Sequence, residues 1–330
     1  MELKKTIFFR VDGDQRIGLG HLVRCSAMAQ MLNNNFNITF VCISVPSSIK
    51  IELTYHRFKV LLIKAEEEFL GSIVPGSIIV LDGYSFGTDY QRLIKAKGAF
   101  LVCVDDLHDK EFYADIIINH APGVKPEDYS AQPYTRFALG VDYALLRPAF
   151  LEQAQNPRFI DTIKTVFVCF GGADSTGLTL RTLEYLAPIK RLERIILVTG
   201  ASFFGARELM KTQAKESRID YRSKLDENHM LQAMCDAELA IVPASTILYE
   251  ILSVRMPVIT GYAADNQINI YNGISKLGLI KGIGSFNQTP DFEEIINDVF
   301  EDDPANIMDK QQKYFHGQSG QNISRLFEIL

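Results

Sequence analysis

TIFFRVDGDQRIGLGHLVRCSAMAQML, residues 6–32, passes from a near-continuous apolar segment through a glycine-bearing loop into a segment with helical periodicity. A short apolar run without strict alternation suits a strand buried on both faces of a parallel sheet. Downstream, Leu22, Cys25, Met28, Ala29 and Leu32 recur at three-to-four spacing, which places them on one face of a helix. The same succession of strand, glycine loop and helix returns at residues 165–183, TVFVCFGGADSTGLTLRTL.

Between and beyond these two segments lie NITFVCI (37–43), KVLLI (59–63), SIIVLD (77–82), AFLVCVD (99–105), DIIIN (115–119), RIILVTG (194–200), LAIVPA (239–244) and MPVITGY (256–262). Apolar runs alternating with longer helical patterns predict an α/β fold with two doubly wound parallel sheets. A chain of 330 residues exceeds one hydrophobic core, so two domains are expected. The polar, proline-containing stretch LRPAFLEQAQNPRFIDTIK (146–164) separates the strand sets, giving expected domains over 1–155 and 162–330. Two helices, around DFEEIINDVF and NISRLFEIL, are expected to close the second domain.

A formal net charge of −6, without a dense Lys/Arg run, argues against nucleic acid as a partner. No apolar run approaches the ~20 residues of a membrane helix, and the amino-terminal apolar stretch is too short for a signal peptide. A cytoplasmic location is therefore expected. Five widely spaced cysteines with no C-x-x-C pair read as reduced thiols, and the six histidines form no metal-binding pattern. Neither a metal nor a cofactor is expected. Nothing demands a protein partner, so a monomer or weak homo-oligomer follows.

Gly18 and Gly20 precede His21 at the start of the first helix. The positive end of a helix dipole disfavours imidazolium, and a neutral histidine facing a cleft is a competent general base. The alternative is a structural histidine at its own helix terminus. Asp12, in DGD, either orients His21 or belongs to a solvated loop. Asp82, Asp105 and Asp106 stand at strand ends, where carboxylates reach substrate or cap helices. Tyr84 and Asn119 offer a ring, a hydroxyl and an amide suited to a sugar.

In the second half, Gly171 and Gly172 follow a strand, with Asp174, Ser175 and Thr176 before the next helix. Backbone amides there can hold a diphosphate, or the segment is a plain glycine turn with a helix cap. Ser245 and Thr246 at a helix start can hold phosphate oxygens, Glu250 can accept both hydroxyls of a ribose, and Asn266 and Gln267 can bond a hexose.

That ordered set resembles the way GT-B nucleotide-sugar transferases hold a UDP-sugar, in particular the UDP-N-acetylglucosamine transferase of peptidoglycan synthesis. FRVDGDQRIGLGHLVRC, VLDGY, VDDLH, DIIIN and GVDYALLRPAF resemble, in order and spacing, the UDP-2,4-diacetamido-2,4,6-trideoxy-β-L-altropyranose hydrolases of pseudaminic acid biosynthesis. Spore-coat polysaccharide biosynthesis proteins are related to the same group. The resemblance implies two Rossmann-like domains facing across a cleft and metal-independent release of UDP by water. It makes His21 the base, Gly18 and Gly20 the loop that admits the sugar, and Tyr84 and Asn119 sugar contacts. Gly172, Ser245, Thr246, Glu250, Asn266 and Gln267 become UDP and hexose contacts. One position departs: Gly83 stands where a second histidine is expected. The alternatives are a GT-B transferase, which needs an acceptor, and a non-catalytic nucleotide-sugar binding protein, which would release no UDP.

Overall fold

The structure, a computed structural model, describes residues 4–14, 17–172, 174, 176–200, 203–288 and 292–330. The chain divides into two units, Met1–Pro148 with Gln318–Leu330, and Ala149–Gly317.

In the first unit the strands are β1 (Thr6–Val11), β2 (Asn37–Cys42), β3 (Lys59–Leu62), β4 (Ile78–Asp82), β5 (Phe100–Val104), β6 (Glu111–Phe112), β7 (Ile116–Asn119), β8 (Ser130–Ala131) and β9 (Arg136–Leu139). Seven of them form a sheet in the order β3-β2-β1-β4-β5-β7-β9, and β6 and β8 make a separate pair. All neighbours in the large sheet are parallel. Its central strands are buried on both faces, which is why they read as unbroken apolar runs.

Residue parity sorts the faces. Ile7, Phe9 and Val11 on β1 and Ile78 and Val80 on β4 pack with Leu22, Cys25, Met28 and Leu32 of the helix Gly20–Leu32. Ile79 and Leu81 face the opposite cluster, with Phe69, Phe86 and Ile94. Because β1 is followed in sequence by β2 on one side but paired with β4 on the other, the strand order reverses there. Ligands of doubly wound sheets bind at the carboxyl ends of strands flanking such a reversal.

The second unit repeats the plan with β10 (Thr165–Val168), β11 (Arg194–Thr199), β12 (Ile219–Ser223), β13 (Leu239–Pro243), β14 (Val258–Tyr262) and β15 (Lys281–Ser285). Their order is β12-β11-β10-β13-β14-β15, all parallel, with the reversal between β10 and β13.

The carboxyl end departs from the sequence reading. Three helices, not two, occupy it: Phe292–Glu301, Pro304–Tyr314 and Ser319–Glu328; Asp291 lies outside the described residues. The middle helix has little apolar periodicity, but Asp303 caps it by accepting from Ala305 N at 2.9 Å, with Pro304 at its first position. Nor does the last helix stay with residues 162–317. It belongs to the first unit, where Ile323 and Phe327 join the core against the helix Gly20–Leu32. Burying a phenylalanine stabilises by about 1.5–3 kcal/mol, so this returning helix is an integral part of the first unit. Among the described residues no helix is long and apolar enough to cross a membrane.

Candidate active site

His21 and Tyr84 in the first unit, and Gly171, Gly172, Ser245 and Thr246 in the second, stand beside the strand-order reversals; Asn119 ends β7, and Asn266 and Gln267 follow β14. In the first unit, Gly18 adopts φ +85° and its amide donates to Asp14 O at 2.9 Å, a left-handed turn that glycine makes without strain. This turn delivers Gly20 and His21 to the first turn of the helix, directly after β1. Asp82 ends β4, in register with Val11.

There the chain assembles a buried polar cluster. Asp82 is 1% exposed; its Oδ1 accepts from His21 Nδ1 at 2.7 Å and from Arg24 Nη2 at 2.6 Å. Its Oδ2 accepts from Arg24 Nε at 2.6 Å and from the Cys25 thiol at 3.3 Å. Arg24 Nη1 donates to Asp106 Oδ2 at 2.9 Å, and the Tyr84 hydroxyl donates to the same oxygen at 3.2 Å. The half-exposed Tyr84 ring meets His21 edge-on, with centroids 4.8 Å apart.

Burial raises the Asp82 carboxyl, but the Arg24 guanidinium and His21 outweigh it and hold the group well below the usual carboxylate range. An ionised carboxylate only accepts hydrogen bonds, so Nδ1 of His21 carries a proton toward Asp82, and in the neutral ring Nε2 then holds the lone pair. That tautomer suits a general base, with Asp82 fixing the ring.

Asp12 does not orient His21. Its Oδ1 accepts from the amides of Ile43 and Ser44 at 2.6 and 2.9 Å, and its Oδ2 pairs with Arg10 at 2.6 Å. The physical reason is strand parity: Asp12 extends the face of Arg10, opposite the face that Val11 turns to the helix. Asn119 is also corrected. It is 1% exposed, donates to the Tyr129 hydroxyl at 2.9 Å and accepts from Ala121 N at 2.9 Å, so its amide braces the end of β7 rather than facing a sugar. Tyr129 in turn donates to Asp105 at 3.1 Å. Gly83 has φ +154°, and a Cβ there would stand 3.0 Å from the Phe86 ring. The backbone of this loop suits glycine.

In the second unit, Gly171 follows β10 with φ +86°, and a Cβ on Gly200 would meet Gly172 Cα at 2.4 Å. The loops after β10 and β11 are thus packed backbone to backbone. Asp174 closes the next helix, accepting from Leu178 N and Thr179 N at 2.9 and 2.8 Å, so those amides are not open to an anion; Ser175 lies outside the described residues. After β13 the situation differs. Ser245 precedes the helix Thr246–Ser253 and its side chain makes no capping bond, while Glu250, 4% exposed, sits one turn in. Asn266 and Gln267 lie in the turn after β14, both partly buried, with Gln267 Oε1 accepting from Ala263 N at 2.8 Å.

Sequence reading singled out His21 and Tyr84 but not Arg24, and weighed Asp82 and Asp106 only as strand-end carboxylates. The signal for Arg24 was present: three residues after His21, it shares that residue's helical face. Among the described residues, no group of three or more His, Cys, Asp or Glu could hold a metal ion.

No protein-family model matches the chain. A UDP-2,4-diacetamido-2,4,6-trideoxy-β-L-altropyranose hydrolase of Campylobacter jejuni is 25% identical over 260 residues, covering 76% of this chain and 88% of that protein. The spore coat polysaccharide biosynthesis protein SpsG of Bacillus subtilis is 23% identical over 295 residues, covering 85% and 84%. Among solved structures, Acinetobacter baumannii MurG superposes with a TM-score of 0.60 at 12% identity, covering 99% of this chain and all of that one. The chain is accordingly a GT-B-fold protein of two Rossmann-like domains, similar in sequence to the UDP-diacetamido-trideoxy-altropyranose hydrolase and to the spore-coat polysaccharide biosynthesis protein.

Proposed function

We propose that this protein hydrolyses a UDP-linked diacetamido-trideoxy hexose at its anomeric carbon, releasing UDP and the free sugar without a metal. The observation that carries the reading is the His21–Asp82 pair, 2.7 Å apart at the strand-order reversal of the first unit. Similarity to the C. jejuni hydrolase supports the substrate class.

In this reading the oxygen of water bonds to the anomeric carbon as the bond from that carbon to the diphosphate oxygen breaks. The proton of the water passes to Nε2 of His21, and Asp82 stabilises the resulting imidazolium. Attack opposite the leaving group inverts the anomeric configuration. The second unit's part in this reading is to hold the diphosphate, through the backbone of Gly171 and Gly172 and the helix start at Ser245 and Thr246, where no side chain caps the helix. Glu250 accepts the ribose hydroxyls, and Asn266 and Gln267 meet the hexose. Gly18 and Gly20 leave room for the sugar beside Tyr84.

The GT-B fold shared with MurG favours one second reading, a transferase in which an acceptor hydroxyl replaces water. Incubation with a panel of UDP-sugars, assayed for free UDP with and without acceptors and chelator, separates the two. UDP release without acceptor, unaffected by chelator, is expected. A strict acceptor requirement overturns hydrolysis, and binding without release overturns both.

A further inference from the structure

Arg24 is buried and fully engaged, yet the chemistry just described assigns it nothing. Its guanidinium spans two carboxylates from different strands, Asp82 through Nε and Nη2 and Asp106 through Nη1. Its Nη2 also lies 3.1 Å from His21 Nδ1, both groups converging on the same carboxylate oxygen. The groups facing it come from every neighbouring element: His21 and Cys25 from its own helix, Asp82 from β4, Tyr84 from the following loop, and Asp106 beyond β5.

His120 completes the surround. It stands two residues past Ile118, which faces the helix Gly20–Leu32, so parity turns its side chain to the same side. It is 4% exposed and sits 3.5 Å from Leu145 N through Nδ1. Burial, followed by the charge of Arg24, pulls its imidazole down to about 3, so it adds no charge at neutral pH.

We propose that Arg24 is a positioning residue that sets both the geometry and the charge of the His21–Asp82 pair. The proposal rests on His21 acting as base. By gripping both oxygens of Asp82, Arg24 prevents the carboxylate from rotating away from Nδ1. By offsetting one of two carboxylate charges, it leaves the cluster one negative charge, which a single proton on His21 neutralises. Without that offset, two buried carboxylates would hold a proton on His21 at rest and the base would be blocked.

The test compares Arg24→Met, Arg24→Lys and Asp106→Asn with wild type by two readouts. These are the pH dependence of kcat/KM for UDP release and ¹⁵N NMR of the His21 ring in the folded protein. Arg24→Met should move the acid limb of the profile to higher pH by about one unit or more. Arg24→Lys, which keeps the charge but not the fork, should restore the limb and not the plateau rate. Asp106→Asn, which removes a negative charge, should move the limb to lower pH, and it serves if Arg24→Met does not fold. A limb that stays in place in folded Arg24→Met, or in Asp106→Asn, overturns the proposal. If wild type releases no UDP, the hydrolytic reading fails separately. NMR then decides: a His21 ring in folded Arg24→Met that leaves the neutral Nδ1–H form, either by holding both ring protons or by moving its proton to Nε2, supports the positioning role, and ring ¹⁵N shifts that follow wild type at every pH refute it.

Discussion

Replacing Asp82 by Asn tests the centre of the site with almost no change of shape. The carboxylate has five uses to lose: three bonds near 2.6–2.7 Å to His21 and Arg24, a thiol contact at 3.3 Å, and its charge. An amide has one acceptor and one donor end. With oxygen toward His21, the NH₂ opposes the Nε–H of Arg24; with the NH₂ toward His21, it opposes Arg24 Nη2 and moves the ring proton from Nδ1 to Nε2, which removes the base. Either way a buried guanidinium loses its principal counter-charge.

Breaking a buried pair from one side costs roughly 3–5 kcal/mol of stability. Loss of the orienting carboxylate should lower kcat by roughly 10²–10⁴-fold. The pH dependence has a definite sign. The Asp82 carboxyl is depressed in the folded state, so its contribution is fully present above the unfolded value of about 3.9. It is lost only as pH falls through the folded value. Urea unfolding of wild type and Asp82→Asn should therefore differ by an amount that does not shrink between pH 8 and pH 5, since Asp82 also favours a protonated His21, and that vanishes only in stronger acid. Stability within about 0.5 kcal/mol of wild type at pH 7, together with unimpaired UDP release, would refute the pairing.

Replacement of His21 by Asn should abolish UDP release and leave UDP affinity within about threefold, measured by calorimetry; retained turnover removes His21 from the mechanism. Glu250→Gln should weaken UDP binding about tenfold, and the variant should no longer distinguish UDP from 2′-deoxy-UDP; unchanged discrimination would place the ribose elsewhere. Gly83→His should destabilise the first unit by about 1–3 kcal/mol in denaturant unfolding, because of the positive φ and the Phe86 ring 3.0 Å away. A neutral substitution would show that the loop re-forms freely. Burial pushes the Cys42 thiol up to about 12 and holds Cys25 and Cys103 high as well. Thiol labelling of native protein at pH 8 should therefore start at the partly exposed Cys235, and equal labelling of all five would contradict the packing.

The legibility of the strands followed burial. Central strands such as Ile78–Asp82 and Leu239–Pro243 are buried throughout and read as unbroken apolar runs. The large-sheet strands absent from the sequence reading, Arg136–Leu139, Ile219–Ser223 and Lys281–Ser285, are all edge strands, where one side lacks a neighbour and polar residues are tolerated. The terminal helix was legible as a helix from its apolar face, but its destination was not. Amphipathic periodicity states that a face will be covered, not by which unit.

By itself, the sequence determined the α/β class, the two strand sets, the glycine turns and the position of His21 at the start of a helix. These follow from local periodicity and from turn chemistry that operates within a few residues. Only the tertiary structure decided which carboxylate serves that histidine. Asp12 is nine positions away, but strand parity turns it toward Arg10 on the far face. Asp82, 61 positions away, is brought into register with Val11 by the pairing of β1 with β4, on the face that the helix covers.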